Sequence, residues 1–329
     1  MIKFQIPGQD WLDPSTFRIM YDLRNDAAIA GQQLRPIGGP WSFFSRMRIL
    51  AGGQVLEDID MYNRVHEMFS IFGSSESRIS DYSEGFNNYW EDKAASTEIN
   101  PTLLKGIYQG ESQTVLFRPL SGILRQRKYI PLRYMPLTIE LSLVDNATDP
   151  LVQVQGNIFT AGNNSTAWSI LNAQVKCDLV TLDSGLNDSY VKLLEEGKKL
   201  TLNYNTFISQ YQTVSNQTNF AINVTRSLTR LKSVFVSFWK NYQSETRQDM
   251  RGNKMFNDLF SPMSQITTLW VTQQDSDGEF EFHMQIGSKL YPEYPITSHA
   301  KAFYQLKKKN VRVSSVAIYC IKHNRFTIP

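Results

Sequence analysis

Apolar and polar residues alternate with a period of two along several stretches of this chain. The clearest stretch is 137–143, where four aliphatic residues share one face and polar residues, including Glu140, occupy the other. Stretches 17–23 and 111–116 alternate in the same way. Because successive side chains of a strand point to opposite faces, this pattern predicts half-buried strands in antiparallel sheets, with Glu140 facing out.

Helical spacing is confined to short segments. Residues 60–72 and 189–199 predict helices, the second one ending at Gly197, and a Gly52–Gly53 pair between apolar runs predicts a hairpin. Further strands are predicted over the following stretches: 152–159, 168–182, 200–214, 219–227 and 233–239.

Many short strands, few helices and polar turns are typical of β-sandwich architecture. We therefore expect two β domains in the 329 residues, residues 1–188 and 200–329, with residues 189–199 as the connecting helix. The polar stretch 73–100 has little periodicity and predicts a long excursion of the kind that often forms interfaces.

Composition excludes several classes of protein. The formal net charge of +3 is spread along the chain, and its basic runs at 125–128 and 307–309 are short. The sequence therefore predicts solvated loops or helix ends there rather than a specific nucleic-acid partner. Cys177 and Cys320 give neither a disulfide framework nor metal-ligand spacing, so we expect two small buried apolar residues in a reducing compartment.

Targeting signals are also missing from the pattern. The first residues lack the apolar core of a signal peptide, and no run of about 18 apolar residues predicts a membrane span. We therefore expect the chain to be made and to stay in the cytosol or nucleus, with the glycosylation sequons serving as Asn- and Thr-rich turns.

Residues that could carry catalysis are not arranged for it. None of the four histidines has partners spaced as in a catalytic triad or a metal site, and no glycine pattern matches a phosphate-binding loop. The stretch 275–279 resembles the start of a calcium loop but lacks its final glutamate, which favours a hairpin turn. Glu57, Asp58 and Asp60 are expected on a turn, with no separation of their pKa values. The sequence predicts no enzyme activity, no metal and no cofactor.

Two proline-rich segments remain as the most distinctive features. One lies within 129–144 and leads into the alternating strand; its prolines are expected at the beginning of that strand or at a bulge. In the other, a strand ends in a Gly-Ser turn and continues as a proline-fixed extended segment suited to packing between sheets or against a neighbour. Their distinctive residues are Pro131, Leu132, Pro136, Leu137, Gly287, Ser288, Tyr291, Pro292, Tyr294 and Pro295.

The amino-acid sequences of both segments resemble those of the major capsid proteins of polinton-like viruses and adintoviruses. These belong to the double jelly-roll lineage of large eukaryotic DNA viruses and virophages, and the early run from Trp41 to Phe69 is similar to a third stretch of the same family. The resemblance implies an all-β fold of two jelly rolls side by side, with short helices in the loops.

The resemblance also implies a structural role in the virion. Three copies would form a pseudo-hexagonal capsomer, capsomers would tile an icosahedral shell, and penton and minor capsid proteins would be further partners. The outward loops would be 73–110 and 241–264. One departure is the short second half, whose tail from Asn310 changes character. It predicts a truncated chain, a divergent reading frame or a compact second barrel, and an incomplete barrel would expose strand edges that need a partner.

Two other function classes stay open at this point. A β-sandwich module that recognises a receptor or a carbohydrate would stack its ligand on exposed aromatics such as Trp11, Trp41 or Trp90. A β-sandwich hydrolase would need a site assembled from distant residues, and the chain offers no evident pairing of nucleophile and base for it.

Overall fold

Strands dominate the computed structural model of the chain. It describes residues 1–36, 38–71, 83–86, 106–151, 154–155, 164–213, 220–224, 230–236, 247–248, 254–255, 281–308 and 320–328. The helices are α1 (Tyr62–Ile71), α2 (Ser184–Glu195) and α3 (His299–Lys308), with short 3-10 helices η1 (Pro40–Phe43) and η2 (Ile123–Arg125). Within these residues the prediction of a mostly-β chain with short helices is confirmed.

The strands of the first half follow the predicted alternation closely. Their bounds are β1 (Ile2–Ile6), β2 (Trp11–Asn25), β3 (Gln33–Leu34), β4 (Phe44–Ala51), β5 (Gln54–Asp60), β6 (Ile107–Tyr108), β7 (Ser112–Phe117), β8 (Ile130–Pro131), β9 (Leu137–Leu143), β10 (Val154–Gln155) and β11 (Trp168–Val180). The predicted strand over 137–143 therefore has the bounds of β9, and Gly52 and Gly53, both at positive φ, form the predicted hairpin turn. Most of the predicted strand 152–159 lies outside the described residues.

Two sheets form the sandwich of the first half. Sheet A has the order β1-β9-β4-β5, and sheet B has the order β11-β2-β7 with β8 also pairing β2. All these ladders are antiparallel. In sheet B, β2 contains a bulge just after Asp13, because four of its residues there lie opposite a single residue of β11.

The hydrophobic core fills the space between these sheets. Tyr21 of β2 contacts Phe44 of β4 edge-to-face at a centroid distance of 5.7 Å, and its hydroxyl donates to the Pro40 carbonyl at 2.6 Å. Inward-facing side chains of β9, such as Ile139, are fully buried, whereas Leu143 is only half-buried. Alternation along each strand therefore provides one continuous apolar face per sheet, as predicted.

Glu140 departs from the simple alternation. It projects from the outer face of β9, as predicted, but its side chain is only 9% exposed because Lys3 of β1 and Arg48 of β4 cover it from both sides. Burial alone would raise the pKa of Glu140, but its hydrogen bonds and ion pairs with Arg48 and Lys3 lower it overall.

Strands of the second half form smaller sheets among the described residues. The strands are β12 (Leu200–Ile208), β13 (Leu231–Ser233), β14 (Arg247–Gln248), β15 (Lys254–Met255), β16 (Phe282–Ile286), β17 (Lys289–Ile296) and β18 (Cys320–Ile328). They pair as β12-β18-β13, β10-β15-β14 and the hairpin β16-β17. Within the described part of the tail from Asn310, residues Cys320–Ile328 form the strand β18.

Three predictions for this half need correction. The helix α2 spans Ser184–Glu195 rather than 189–199, because the carboxylate of Asp183 caps its N-terminus by accepting from Gly185 N. The described part of 219–227, residues 220–224, is irregular. Of the predicted buried strand 233–239, Ser233 ends β13 and the other described residues, 234–236, are irregular, with Val236 exposed. Apolar composition without clean alternation is a weak strand signal. The division into two domains stays a prediction.

Candidate assembly surfaces

The first proline-rich segment lies at one end of the first sandwich. Pro131 pairs with Trp11 across β8 and β2, and Leu132 is 1% exposed with its N–H donating to Asp10 O at 3.2 Å. Pro136 directly precedes Leu137, the buried first residue of β9, as predicted. These residues close the end of the sandwich, so this segment acts through packing.

The second proline-rich segment is a hairpin. The predicted Gly-Ser turn joins β16 to β17, with Gly287 at φ +62° and the Gln285 side chain donating to the Gly287 carbonyl. The predicted extended segment is β17, which includes Pro292 and Pro295. His283 lies exposed on β16, in agreement with its predicted place on the polar face.

Large apolar side chains of this hairpin lie open to solvent. Tyr294 is 80% exposed, and the other exposed members are Ile286, Leu290 and Tyr291. Only Ile296, at the end of β17, is buried. We call the set Ile286, Leu290, Tyr291 and Tyr294 the hairpin surface. Several large apolar side chains exposed on one hairpin favour contact with another molecule.

The start of the second half packs directly on the first half. Leu202, Tyr204 and Phe207 of β12 belong to the same buried cluster as the first sandwich. The Tyr204 hydroxyl donates to Leu56 O of β5 at 3.4 Å, and the Phe207 ring meets Phe69 of α1 at 4.8 Å. We call this contact of β12 with β5, α1 and η2 the junction.

Gly122 is the tightest point of the junction. A Cβ atom added there would lie 1.6 Å from the backbone oxygen of Asn205 in β12. No side chain can occupy that space, so the segment before η2 approaches β12 as closely as backbone packing allows. This role of Gly122 could not be predicted, because a single glycine beside a serine resembles any turn.

Glu57 is a second component of the junction that the sequence did not reveal. The expectation that it lies on a turn is wrong: it sits within β5 and is 1% exposed. Its carboxylate accepts hydrogen bonds from the Ser121 hydroxyl and, at 2.8 Å, from Gly122 N. Burial raises the pKa of Glu57, and these hydrogen bonds lower it only in part.

The histidine of α1 is a core residue. The His66 ring stacks on Trp41 at a centroid distance of 3.9 Å, and its Nε2 lies 3.0 Å from the Arg118 carbonyl. A carbonyl only accepts, so Nε2 carries the proton. Burial, with a contribution from the charge of Arg125, lowers the pKa of His66 to about 3. A neutral, packed ring serves stability rather than proton transfer near neutral pH.

Trp11 and Trp41 are likewise buried. Trp11 is 9% exposed and packs on Tyr190 of α2 at 4.8 Å, and Trp41 donates from Nε1 to Glu67 at 2.7 Å. The expectation that these two aromatics are exposed for ligand stacking is therefore wrong. Trp90 and the predicted calcium-like stretch lie outside the described residues, as do nearly all of the outward loops predicted over 73–110 and 241–264.

The described residues contain no evident metal site. Among them, no group of three or more His, Cys, Asp or Glu side chains could hold a metal ion. None of the described helices is long and apolar enough to cross a bilayer. Cys177 is a free thiol, half-buried on β11, and burial raises its pKa.

Known proteins resemble this chain in structure. No protein-family profile and no curated protein sequence matches it. The PBCV-1 virus capsid, in a quasi-atomic model, matches at 12% identity and a TM-score of 0.52 over 98% of this chain and 73% of the other. PBCV-1 VP54, fitted into a cryo-EM reconstruction of the virophage Sputnik, matches at 14% identity and a TM-score of 0.39. The STIV MCP matches at 9% identity and a TM-score of 0.42.

These matches concern the fold. The match with VP54 includes 73% of this chain and 49% of VP54, so this chain spans about half of that protein's length. The match with the STIV MCP includes 99% of this chain and 87% of the other. The likeness to the PBCV-1 capsid extends along nearly the whole chain, and the predicted all-β double jelly-roll fold is therefore confirmed.

Proposed function

We propose that this chain is a structural major capsid protein that forms trimers and, through them, an icosahedral shell. The observation that carries the proposal is the likeness of nearly the whole chain to the PBCV-1 virus capsid. Two barrels per chain and three chains per ring give six similar units around one axis. Such a pseudo-hexagonal unit can tile a closed surface, which gives a physical reason for the double fold.

In this proposal one proline-rich segment stabilises the fold and the other takes part in assembly. The buried segment around Leu132 and Leu137 stabilises the first barrel, whereas the hairpin surface offers apolar area to another copy. A threefold ring needs a heterologous contact, in which one patch of a chain meets a different patch of its neighbour. The hairpin surface supplies one of these two patches.

The junction supports the same proposal. A subunit that must present two barrels in a fixed arrangement benefits from close contact between its halves. The buried Glu57 carboxylate, the absence of space at Gly122 and the aromatic contact of Phe69 with Phe207 favour such an arrangement. We propose further that the protein resides in the virion, contacts penton and minor capsid proteins and has no enzyme activity.

A ligand-recognition module is a weaker candidate. Its aromatic platform was expected at Trp11 and Trp41, and both side chains are buried in the core. No other described feature favours carbohydrate stacking over contact between copies of the chain.

The oligomeric state tests the proposal. Size-exclusion chromatography with light scattering should give a trimer of about 113 kDa, three times the 37.8 kDa of one chain. Electron microscopy at high concentration should then show hexagonal units. A protein that stays monomeric from micromolar to millimolar concentration, without hexagonal units, would contradict the proposal.

The hairpin surface can be tested within the same experiment. Tyr291→Ser with Tyr294→Ser should weaken the trimer by at least tenfold, because two large apolar side chains leave the contact. Val55→Ser is the matched control, since Val55 is an exposed apolar residue on the β4–β5 hairpin. Equal trimer content in the double variant and in the control would remove the hairpin surface from the proposed contact.

A further inference from the structure

The segment that leads from β7 to β9 has an unusual charge. Residues 118–136 contain five cationic side chains and no acidic one. Arg125, Arg127 and Lys128 of this segment are exposed. In the sequence alone this run favours a solvated loop, because three neighbouring cations are common on protein surfaces.

The fold brings a second basic segment to this loop. The Lys128 ammonium donates to Thr201 O of β12 at 3.1 Å, which brings it close to the Lys198–Lys199 pair just ahead of that strand. Lys199 is exposed, and Lys198 is paired with Glu196 at 2.8 Å. Two segments separated by about 70 residues thus combine their charges on one surface.

The cations on this surface are largely uncompensated. Within the described residues, Arg127, Lys128 and Lys199 form no ion pair with a carboxylate. The acidic groups nearby are Glu57 and the pair Glu195 and Glu196 at the end of α2. Glu57 is buried and accepts hydrogen bonds from Ser121 and Gly122, and Glu196 is engaged by Lys198. Unpaired cations that converge from separate segments create a positive potential that attracts polyanions.

An exposed aromatic ring accompanies these cations. Tyr129 directly follows Lys128 and is 44% exposed, although it precedes the buried strand β8. Cationic side chains track a phosphate backbone, and an exposed ring offers a stacking platform for a base, so the two together are typical of single-stranded nucleic-acid binding. We call the set Arg125, Arg127, Lys128, Tyr129 and Lys199 the basic loop surface.

We propose that the basic loop surface binds nucleic acid through its phosphate backbone, without sequence preference. The inference goes beyond the proposed capsid function and does not depend on it, because binding is a property of the single chain. A membrane partner fits the surface less well, since Tyr129 is the one apolar side chain among its five members, whereas binding in a membrane interface needs a broad apolar face.

Fluorescence anisotropy with labelled 20-nucleotide single-stranded and duplex DNA of mixed sequence tests the proposal. We expect a Kd of about 1 to 100 μM near 0.15 M salt. The logarithm of the single-strand binding constant should fall with the logarithm of salt concentration with a slope of about −3, as four backbone contacts require. Scrambled sequences should bind equally.

Two variants identify the surface. Arg127→Gln with Lys128→Gln should weaken binding by about tenfold and reduce the salt slope by about 1.4, which corresponds to two lost contacts. Tyr129→Ser should weaken single-strand binding at least fivefold and duplex binding by less than twofold, because only unpaired bases can stack on the ring.

The control removes the same charge elsewhere. Lys176→Gln with Lys289→Gln changes the net charge by the same amount at two other exposed positions, on β11 and β17. Equal losses in this control and in the Arg127/Lys128 variant would overturn the proposal, and so would a wild-type chain that does not bind. Binding to vesicles of anionic and neutral phospholipid but not to DNA would overturn it in favour of a membrane surface.

Discussion

The two proline-rich segments resemble each other in sequence but differ in how the molecule uses them. In the segment around β9, Leu132 and Leu137 are 1% exposed and close the first barrel. In the hairpin β16–β17, Tyr291 and Tyr294 are exposed. The side chains of the first segment lower the free energy of their own chain, whereas those of the second have no comparable effect within it.

This difference teaches how a distinctive motif should be interpreted. A motif that contributes to folding can be recognised by burial and by its loss of stability on truncation. A motif that contributes to assembly can be recognised by exposure and by a loss that appears only at the level of the oligomer. Five changes test these two kinds of effect.

The largest effect on stability is expected from Leu132→Ala. Leu132 is buried against the Gly8 backbone, so the change removes apolar contacts and leaves a cavity. The free energy of unfolding should decrease by about 3 kcal/mol. Urea denaturation followed by tryptophan fluorescence measures this loss, and Leu186→Ala on the exposed face of α2 serves as the control. A loss below about 1 kcal/mol would show that the segment does not support the first barrel.

The junction should be nearly as sensitive. In Gly122→Ala the new methyl group would overlap Asn205 O, and relief requires β12 to move away from η2. The free energy of unfolding should decrease by about 2 to 3 kcal/mol. Gly185→Ala is the matched control, because the nearest atom to its new methyl group is the Asp183 carboxylate at 3.4 Å. Equal stability of the two variants would mean that the two halves are not in close contact.

Much of the first half could be predicted because alternation and burial coincide there. The bounds of β9 follow from four aliphatic residues on one face, and the Gly52–Gly53 turn follows from its chemistry. The fold of the whole chain was expected from its resemblance to a family rather than from physical pattern. Residues 219–227 show why: their apolar content predicts a strand, and the described part is irregular.

The junction could not be predicted because it depends on contacts between distant residues. Glu57 is an ordinary surface residue by type. Its burial results from Ser121 and Gly122, which lie 64 and 65 residues away, and from the packing of the still more distant β12. The basic loop surface has the same origin, since Lys128 meets Thr201 only in the folded chain. Periodicity reports the environment of a strand and contains no information on such pairings.

The buried carboxylates of Glu57 and Glu140 should make the stability of the folded chain depend on pH in opposite directions. Because the pKa of Glu57 is raised in the folded chain, its contribution to stability is full below the ordinary value of 4.5 and decreases as pH rises through the folded pKa. Glu57→Gln should remove this decrease. Glu140 has a lowered pKa, so its contribution is present above 4.5 and is lost as pH falls through the folded pKa. Glu140→Gln should reduce the pH dependence of stability only on the acid side of the profile.

Thermal unfolding from pH 3 to pH 9 measures both effects. Each change is expected to alter stability by about 1 kcal/mol within its own pH window. A Glu57→Gln profile parallel to that of the wild type would mean that the Glu57 carboxyl does not titrate differently in the folded and unfolded chains.

The smallest effect on stability is expected from the hairpin surface. Tyr294→Ser removes a ring that is 80% exposed, so the free energy of unfolding of the monomer should change by less than about 0.5 kcal/mol. The measurement is urea denaturation under dilute conditions in which no oligomer forms, alongside Leu132→Ala. A loss of 2 kcal/mol or more would place Tyr294 in the stability of its own chain. Both segments would then stabilise their own chain, and the exposure of the hairpin surface would no longer support a contact with a second copy.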